Sequence, residues 1–107
     1  MGVLAQHANM QARLVIRRRV AFGNRDFAEL VVWRVPEPVP PTTHGFKYRL
    51  VYIVDGRRVV GYDNERGKGD HRHMEDREEP YHFRGVEQLV ADFLEAVTAW
   101  RRDHGKA

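Results

Sequence analysis

The sequence predicts an α+β fold: an antiparallel sheet of four or five strands, in the order β-β-β-β, then a C-terminal helix packed across one face. Four segments rich in β-branched and aromatic residues come first, divided by turn signals such as Asp55-Gly56. One amphipathic segment comes last. Strands followed by a helix are typical of an antiparallel sheet with its helix on one side.

The predicted strands follow one another with short turns or an extended connector between them. They comprise residues 14–22, 27–35, 47–54 and 57–64. Residues 36–41 contain four prolines, which cannot donate to a sheet ladder, so they form an extended connector. Residues 71–74 and 81–83 are candidates for one more short pair of strands, and residues 65–80 are otherwise polar and turn-rich.

The helix is predicted over residues 86–102, because its apolar side chains recur at helical spacing. The stripe consists of Val86, Leu89, Val90, Phe93, Leu94, Val97 and Trp100. If the turn at Asp55-Gly56 has two or four residues, even positions of the third strand share a face with odd positions of the fourth. Both faces of this hairpin are then partly apolar, and one helix covers only one. We therefore expect a homodimer when the protein is alone, unless residues 1–11 and 36–41 cover the second face.

Length and composition indicate one cytoplasmic domain. The 107 residues form a single domain over 12–104, with residues 1–11 as a flexible N-terminal extension. No apolar run approaches the ~20 residues of a membrane span, and the start lacks the pattern of a signal peptide, so no membrane association is expected. The absence of cysteine excludes disulfides, thiolate metal sites and cysteine nucleophiles.

The charge balance favours an anionic partner. The net charge is +3, and fifteen of the eighteen basic residues are arginine. The planar guanidinium group matches phosphate oxygens. Nucleic acid, RNA in particular, or an acidic protein segment is therefore the expected partner.

Residues 62–73 carry the densest chemistry, since Asp, Asn, Lys and His side chains follow one another there and two glycines, Gly67 and Gly69, punctuate the segment. In one interpretation His71 and His73 form an acid–base pair, because imidazole titrates near neutrality and residues two apart on a strand point the same way. Asp63 orients an imidazole, and Lys68 stabilises added negative charge. This arrangement suits RNA cleavage without a metal or other cofactor, with the 2′-hydroxyl as nucleophile. The residues expected to bind the substrate are Arg66, Arg72, Asn64 and Tyr62.

A second interpretation makes the same histidines metal ligands. His71 and His73 would chelate an ion together with Asp63 or Asp70, with His82 nearby in sequence. Lys68 and the flanking arginines argue against this interpretation because they repel a cation, so acid–base chemistry is favoured. A third interpretation is a solvated, charged turn whose glycines serve geometry alone.

The chain also resembles a known family, the TumE toxins of bacterial toxin–antitoxin systems. The resemblance rests on Leu30-Val31-Val32-Trp33-Arg34-Val35-Pro36-Glu37-Pro38, Phe46-Lys47-Tyr48-Arg49-Leu50, Val54-Asp55-Gly56, Tyr62-Asp63-Asn64-Glu65, Gly67-Lys68-Gly69-Asp70-His71-Arg72-His73, Asp76-Arg77-Glu78-Glu79-Pro80-Tyr81 and the closing helix. It implies the toxic member of a two-gene module, neutralised by a helix-turn-helix antitoxin. It implies no particular reaction. RNA cleavage is an analogy with other small basic toxins, and a non-catalytic binding or regulatory role is the alternative.

Overall fold

The computed structural model describes residues 11–106 and confirms the α+β class. Its antiparallel sheet has six strands rather than the four or five predicted, arranged in chain order. The strands are β1 (Arg13–Ala21), β2 (Asp26–Arg34), β3 (Phe46–Val54), β4 (Arg57–Glu65), β5 (Gly69–Met74) and β6 (Arg77–Pro80), and helix α1 (Val86–Asp103) follows. Among the described residues no helix is long and apolar enough to cross a membrane.

The strand that the sequence misplaced is β6. The prediction assigned residues 81–83 to a strand, whereas the strand is Arg77–Pro80, inside a stretch interpreted as polar turn. Glu75 adopts a positive φ of 56° and turns the chain directly after β5. Arg72 of β5 then pairs with Glu79 of β6 across the ladder, with a 2.6 Å hydrogen bond from Nε to the carboxylate. Opposite charges facing each other across strands stabilise a pairing that hydrophobicity alone does not indicate.

The predicted sorting of side chains between the two sheet faces is wrong, because the β3–β4 register shifts between Tyr52 and Ile53. On the side of the irregularity away from the Asp55-Gly56 turn, even-numbered residues of β3 pair with even-numbered residues of β4. Leu50 pairs with Tyr62, and Tyr52 pairs with Val60. A bulge adds one residue to one strand and moves all later side chains to the other face.

The core lies between the sheet and α1, on the side named here the helix face. Its buried members on the helix are Leu89, Phe93 and Val97, each no more than 1% exposed. The sheet supplies Ala28, Leu30, Val32, Tyr48, Leu50, Tyr52, Val54, Val59, Val60 and Tyr62. Leu94 belongs to the predicted stripe but is 41% exposed, so the buried stripe is narrower than the sequence suggested.

The other side of the sheet, named here the opposite face, carries both polar and apolar side chains. Its β3 and β4 positions include Arg49 and Asp63, which lie directly across from each other. Val51 shares this face but is only 2% exposed, so it adds little of the free apolar surface invoked for a homodimer. Large exposed apolar side chains instead include Leu14 and Val15 of the edge strand β1, each 47% exposed. The homodimer stays a prediction. The predicted extension lies, except for residue 11, outside the described residues.

Candidate functional site

The register of β4 and β5 brings three of the predicted residues together on the opposite face. Asp63 lies directly across from His71, and Gly61 lies across from His73. Side chains two apart on a strand point to the same side, so both imidazoles share a face with the carboxylate. These three residues are named here the Asp63–His71–His73 cluster.

The three side chains of the cluster are close enough to interact directly. Asp63 Oδ1 lies 2.6 Å from His71 Nε2 and 3.7 Å from His73 Nε2. The two imidazole rings meet edge to face, with centroids 4.8 Å apart. One oxygen and two ring nitrogens lie within 4.8 Å of one another, so this group of side chains could hold a metal ion. The His71 side chain is only 4% exposed, whereas Asp63 is 17% and His73 is 12% exposed.

The ring of His71 is fixed by the backbone of its own strand. Its Nδ1 lies 3.0 Å from the carbonyl oxygen of Gly69. A carbonyl oxygen only accepts hydrogen bonds, so the network assigns the hydrogen to Nδ1. Nε2 therefore faces Asp63 Oδ1 with its lone pair unless it carries a second proton. Within residues 11–106 neither of these two buried atoms has a hydrogen bond of acceptable geometry.

Glu78 on β6 closes the cluster from the side and was not predicted. Its Oε2 lies 3.4 Å from His71 Nε2 and 4.0 Å from His73 Nε2. The ammonium of Lys68 donates to the same carboxylate at 3.1 Å. This hydrogen bond holds the pKa of Glu78 below its ordinary value and raises the pKa of Lys68. Lys68 therefore interacts with the cluster mainly through Glu78.

Two arginines flank the cluster, and sequence reasoning missed both. Arg49 lies across from Asp63 on β3. A side-chain carbon on Gly61 would approach Arg58 Cδ to 2.9 Å, so the stem of Arg58 lies over Gly61, beside His73. Burial, and then the positive charge of Arg58, lower the pKa of His73, which favours the neutral imidazole. Only the strand register could have revealed these neighbours.

Three of the predicted substrate-binding residues lie on the helix face instead. Tyr62 is 1% exposed, and its ring packs edge to face on Tyr81 at 4.9 Å. The fully buried Asn64 accepts a hydrogen bond from a backbone N–H of β3 and donates to a β3 carbonyl. Arg72 is held by the Glu79 carboxylate. The fourth, Arg66, is exposed in the β4–β5 turn.

Asp70 belongs to a separate network and does not join the cluster. It accepts hydrogen bonds from the Tyr48 hydroxyl at 2.6 Å and from Thr42 Oγ1 at 3.1 Å, and His44 Nε2 lies 2.8 Å away. Burial, and then the hydrogen bond to Asp70, raise the pKa of Tyr48. These contacts fasten the connector after β2 to β5. His82, the other ligand considered from the sequence, is exposed beyond β6.

Comparison with known proteins gives one match. A family model described as Toxin TumE matches residues 3–101, nearly the whole chain and most of the segment predicted to be an extension. No curated protein and no solved structure matches significantly.

Proposed function

The chain belongs to the TumE family of toxins, and we propose that it arrests bacterial growth by cleaving RNA at the Asp63–His71–His73 cluster. The cluster itself is the observation that carries the proposal. It combines two imidazoles and a carboxylate, groups suited to phosphodiester chemistry, on the sheet face opposite α1.

Two arginines belong to a row of residues that crosses the opposite face and ends at the cluster. The cross-strand pairs place Arg17, Val31, Arg49, Asp63 and His71 in one row from β1 to β5. With a strand spacing of ~4.8 Å, Arg49 is the immediate neighbour of Asp63, and Arg17 lies ~14 Å away. Guanidinium groups along such a row bind successive phosphates of a single strand.

A groove beside this row offers space for part of an RNA strand. It measures about 300 Å³ and contains both apolar and charged side chains. The lining residues are Glu29, Val31, Trp33, Lys47, Tyr48, Arg49 and Asp63. The Trp33 ring supplies a surface on which a base can stack. Asp63 borders both the groove and the cluster.

Burial divides the roles within the cluster. His71 is nearly inaccessible and its Nδ1 is bound to a carbonyl, so it acts on the substrate through its neighbours rather than by direct contact. Asp63 and His73 retain some exposure and are the members of the cluster that a bound RNA strand can approach. Lys68 is 52% exposed and neutralised by Glu78, and it serves the surrounding charge balance.

The test is incubation of the purified, tag-free protein with RNA, alongside a growth-arrest assay in cells. Asp63→Asn and His73→Ala should each lower the cleavage rate at least ~100-fold, as loss of a proton-transferring or equivalent catalytic group does. His82→Ala, the exposed histidine outside the cluster, should cleave like the wild type. Intact RNA with the wild-type protein, while growth arrest persists, would favour the non-catalytic binding role.

A toxin of this family implies an antitoxin partner, and we propose the helix-turn-helix type. The arginines of β1, of which Arg17 and Arg18 are exposed, would attract an acidic antitoxin segment. Such solvated charges speed the encounter more than they strengthen the complex.

A further inference from the structure

We infer that the Asp63–His71–His73 cluster, completed by Glu78, binds a divalent transition-metal ion such as Zn²⁺. The catalytic use of that ion rests on the proposed function, but its binding does not. The inference starts from the geometry at His71 Nε2 and Asp63 Oδ1, two buried atoms 2.6 Å apart that make no well-oriented hydrogen bond. A ring nitrogen and a carboxylate oxygen this close together need a positive charge between them, and a bound cation supplies that charge as a proton would.

The environment of His71 is that of a metal-ligating imidazole. Such a ring usually donates its other N–H to a carbonyl or carboxylate, which fixes its orientation and leaves the ligating nitrogen free. His71 Nδ1 meets the Gly69 carbonyl in this manner. Its near-complete burial suits a ligand, which need only touch the ion, better than a proton carrier, which must reach the substrate.

The spacing of the four donor atoms brackets that of a metal site. Donors 2.0–2.2 Å from a tetrahedral ion are about 3.3 Å from one another. Here the distances from His71 Nε2 and His73 Nε2 to the two carboxylates are 2.6, 3.4, 3.7 and 4.0 Å. The largest departures from that spacing are about 0.7 Å, so the side chains must move by up to that distance to coordinate one ion.

The electrostatic objection raised by the sequence loses most of its weight in the structure. Lys68 is paired with Glu78, and Arg72 lies on the helix face with Glu79. Carboxylate oxygens of Asp63, Glu65 and Glu78 all lie within 4 Å of His71 Nε2. Arg49 and Arg58 lie outside this group of carboxylates. There they can bind an anion, such as a phosphate, next to the metal ion.

The donor set also selects the kind of metal. Two imidazoles with carboxylates suit Zn²⁺ and related first-row ions, whereas Mg²⁺ prefers oxygen donors alone. Because four protein donors fill a tetrahedral ion, the ion would have to become five-coordinate to polarise a phosphate oxygen of bound RNA.

The experiment uses the full-length, tag-free protein after chelation and dialysis. Zn²⁺ should raise the Tm in a concentration-dependent manner, since an ion that binds only the folded state stabilises it. Mg²⁺ at the same concentration should not. Co²⁺ should give visible absorption bands that Zn²⁺ removes, a readout independent of RNA cleavage.

Variants locate the ion. Asp63→Asn, which keeps the side-chain shape, and His73→Ala should each weaken Zn²⁺ binding in calorimetry at least tenfold, because even outer-shell changes cost ~10–100-fold. His82→Ala is the matched control and should bind like the wild type. Circular dichroism verifies folding, and Asp63→Asn carries the test if His73→Ala unfolds.

Absence of a Zn²⁺ effect on the Tm, or binding unchanged in both cluster variants, would overturn the inference. Cleavage that persists in chelator without any Zn²⁺ binding would leave the proposed function intact and restore metal-free acid–base chemistry. Zn²⁺ binding at the cluster without RNA cleavage would refute the proposed function alone.

Discussion

Asn64 and Asp63 are adjacent on β4, but their side chains lie on opposite faces of the sheet. Substitution of Asn64 should therefore lower stability, whereas substitution of Asp63 should lower activity. The Asn64 side chain extends the β3–β4 ladder past its last backbone pair, Arg49–Asp63. Its Oδ1 accepts from the Tyr48 N–H at 3.0 Å, and its Nδ2 donates to the Phe46 carbonyl at 2.8 Å. Asn64→Ala leaves the Tyr48 N–H and the Phe46 carbonyl without these hydrogen-bond partners, at positions that water reaches poorly.

The expected cost follows from those two groups. Each buried, unsatisfied polar group costs about 1–3 kcal/mol, so Asn64→Ala should lower the free energy of unfolding by about 2–6 kcal/mol. For a domain of this size, that corresponds to a fall in Tm of at least about 10 °C. Asp63→Asn keeps the side-chain volume and should fold with a Tm close to that of the wild type while losing RNA cleavage.

Urea denaturation followed by circular dichroism measures the first effect, and the RNA assay measures the second. If Asn64→Ala lowered the free energy of unfolding by less than about 1 kcal/mol, with an unchanged denaturant slope, the two Asn64 hydrogen bonds would not stabilise the fold as argued. If Asn64→Ala retained its stability and lost cleavage, the residue would return to the substrate-binding role predicted from the sequence.

Two further predictions concern α1 and the edge of the sheet. Burial alone would raise the pKa of Asp92, but hydrogen bonds, the strongest from Tyr81, hold it below its ordinary value. The stabilisation by Asp92 is therefore present above about pH 4 and is lost as the pH falls through the lowered pKa. In Asp92→Asn, the Tm should therefore fall less than in the wild type as the pH is lowered below about 4. An equal fall in both proteins would contradict this. Light scattering should give twice the 12.5 kDa chain mass for the isolated protein. Leu14→Lys combined with Val15→Lys should halve that mass if β1 is the interface, and a wild-type monomer at high concentration would exclude the dimer.

Local patterns were sufficient to predict most of the fold. The bounds of β1 to β4 lie within one residue of those expected, because apolar periodicity and the Asp55-Gly56 turn mark them directly. Strand β6 was missed because Arg77–Pro80 has no apolar pattern and is stabilised by cross-strand charges. The faces of β3 and β4 were misassigned because a single register shift leaves no mark in composition.

The candidate site was predictable where it depends on neighbours in sequence. His71 and His73 share a face through strand alternation, and Asp63 was close enough along the chain to join them. Arg49 and Glu78 come from adjacent strands, and their places follow only from the register. Residues of the same dense segment, Tyr62 and Asn64, alternate with the cluster and lie on the helix face.

The chain-order arrangement of the strands has a consequence for how the site forms during folding. Each strand pairs with the next one in the chain, so the sheet can grow hairpin by hairpin, and residues 35–45 between β2 and β3 form the longest loop to close. Asp63, His71 and His73 all belong to the single hairpin formed by β4 and β5. We therefore expect these three groups to meet as soon as that hairpin closes, whereas the core that holds them rigid waits for α1, the last element of the chain.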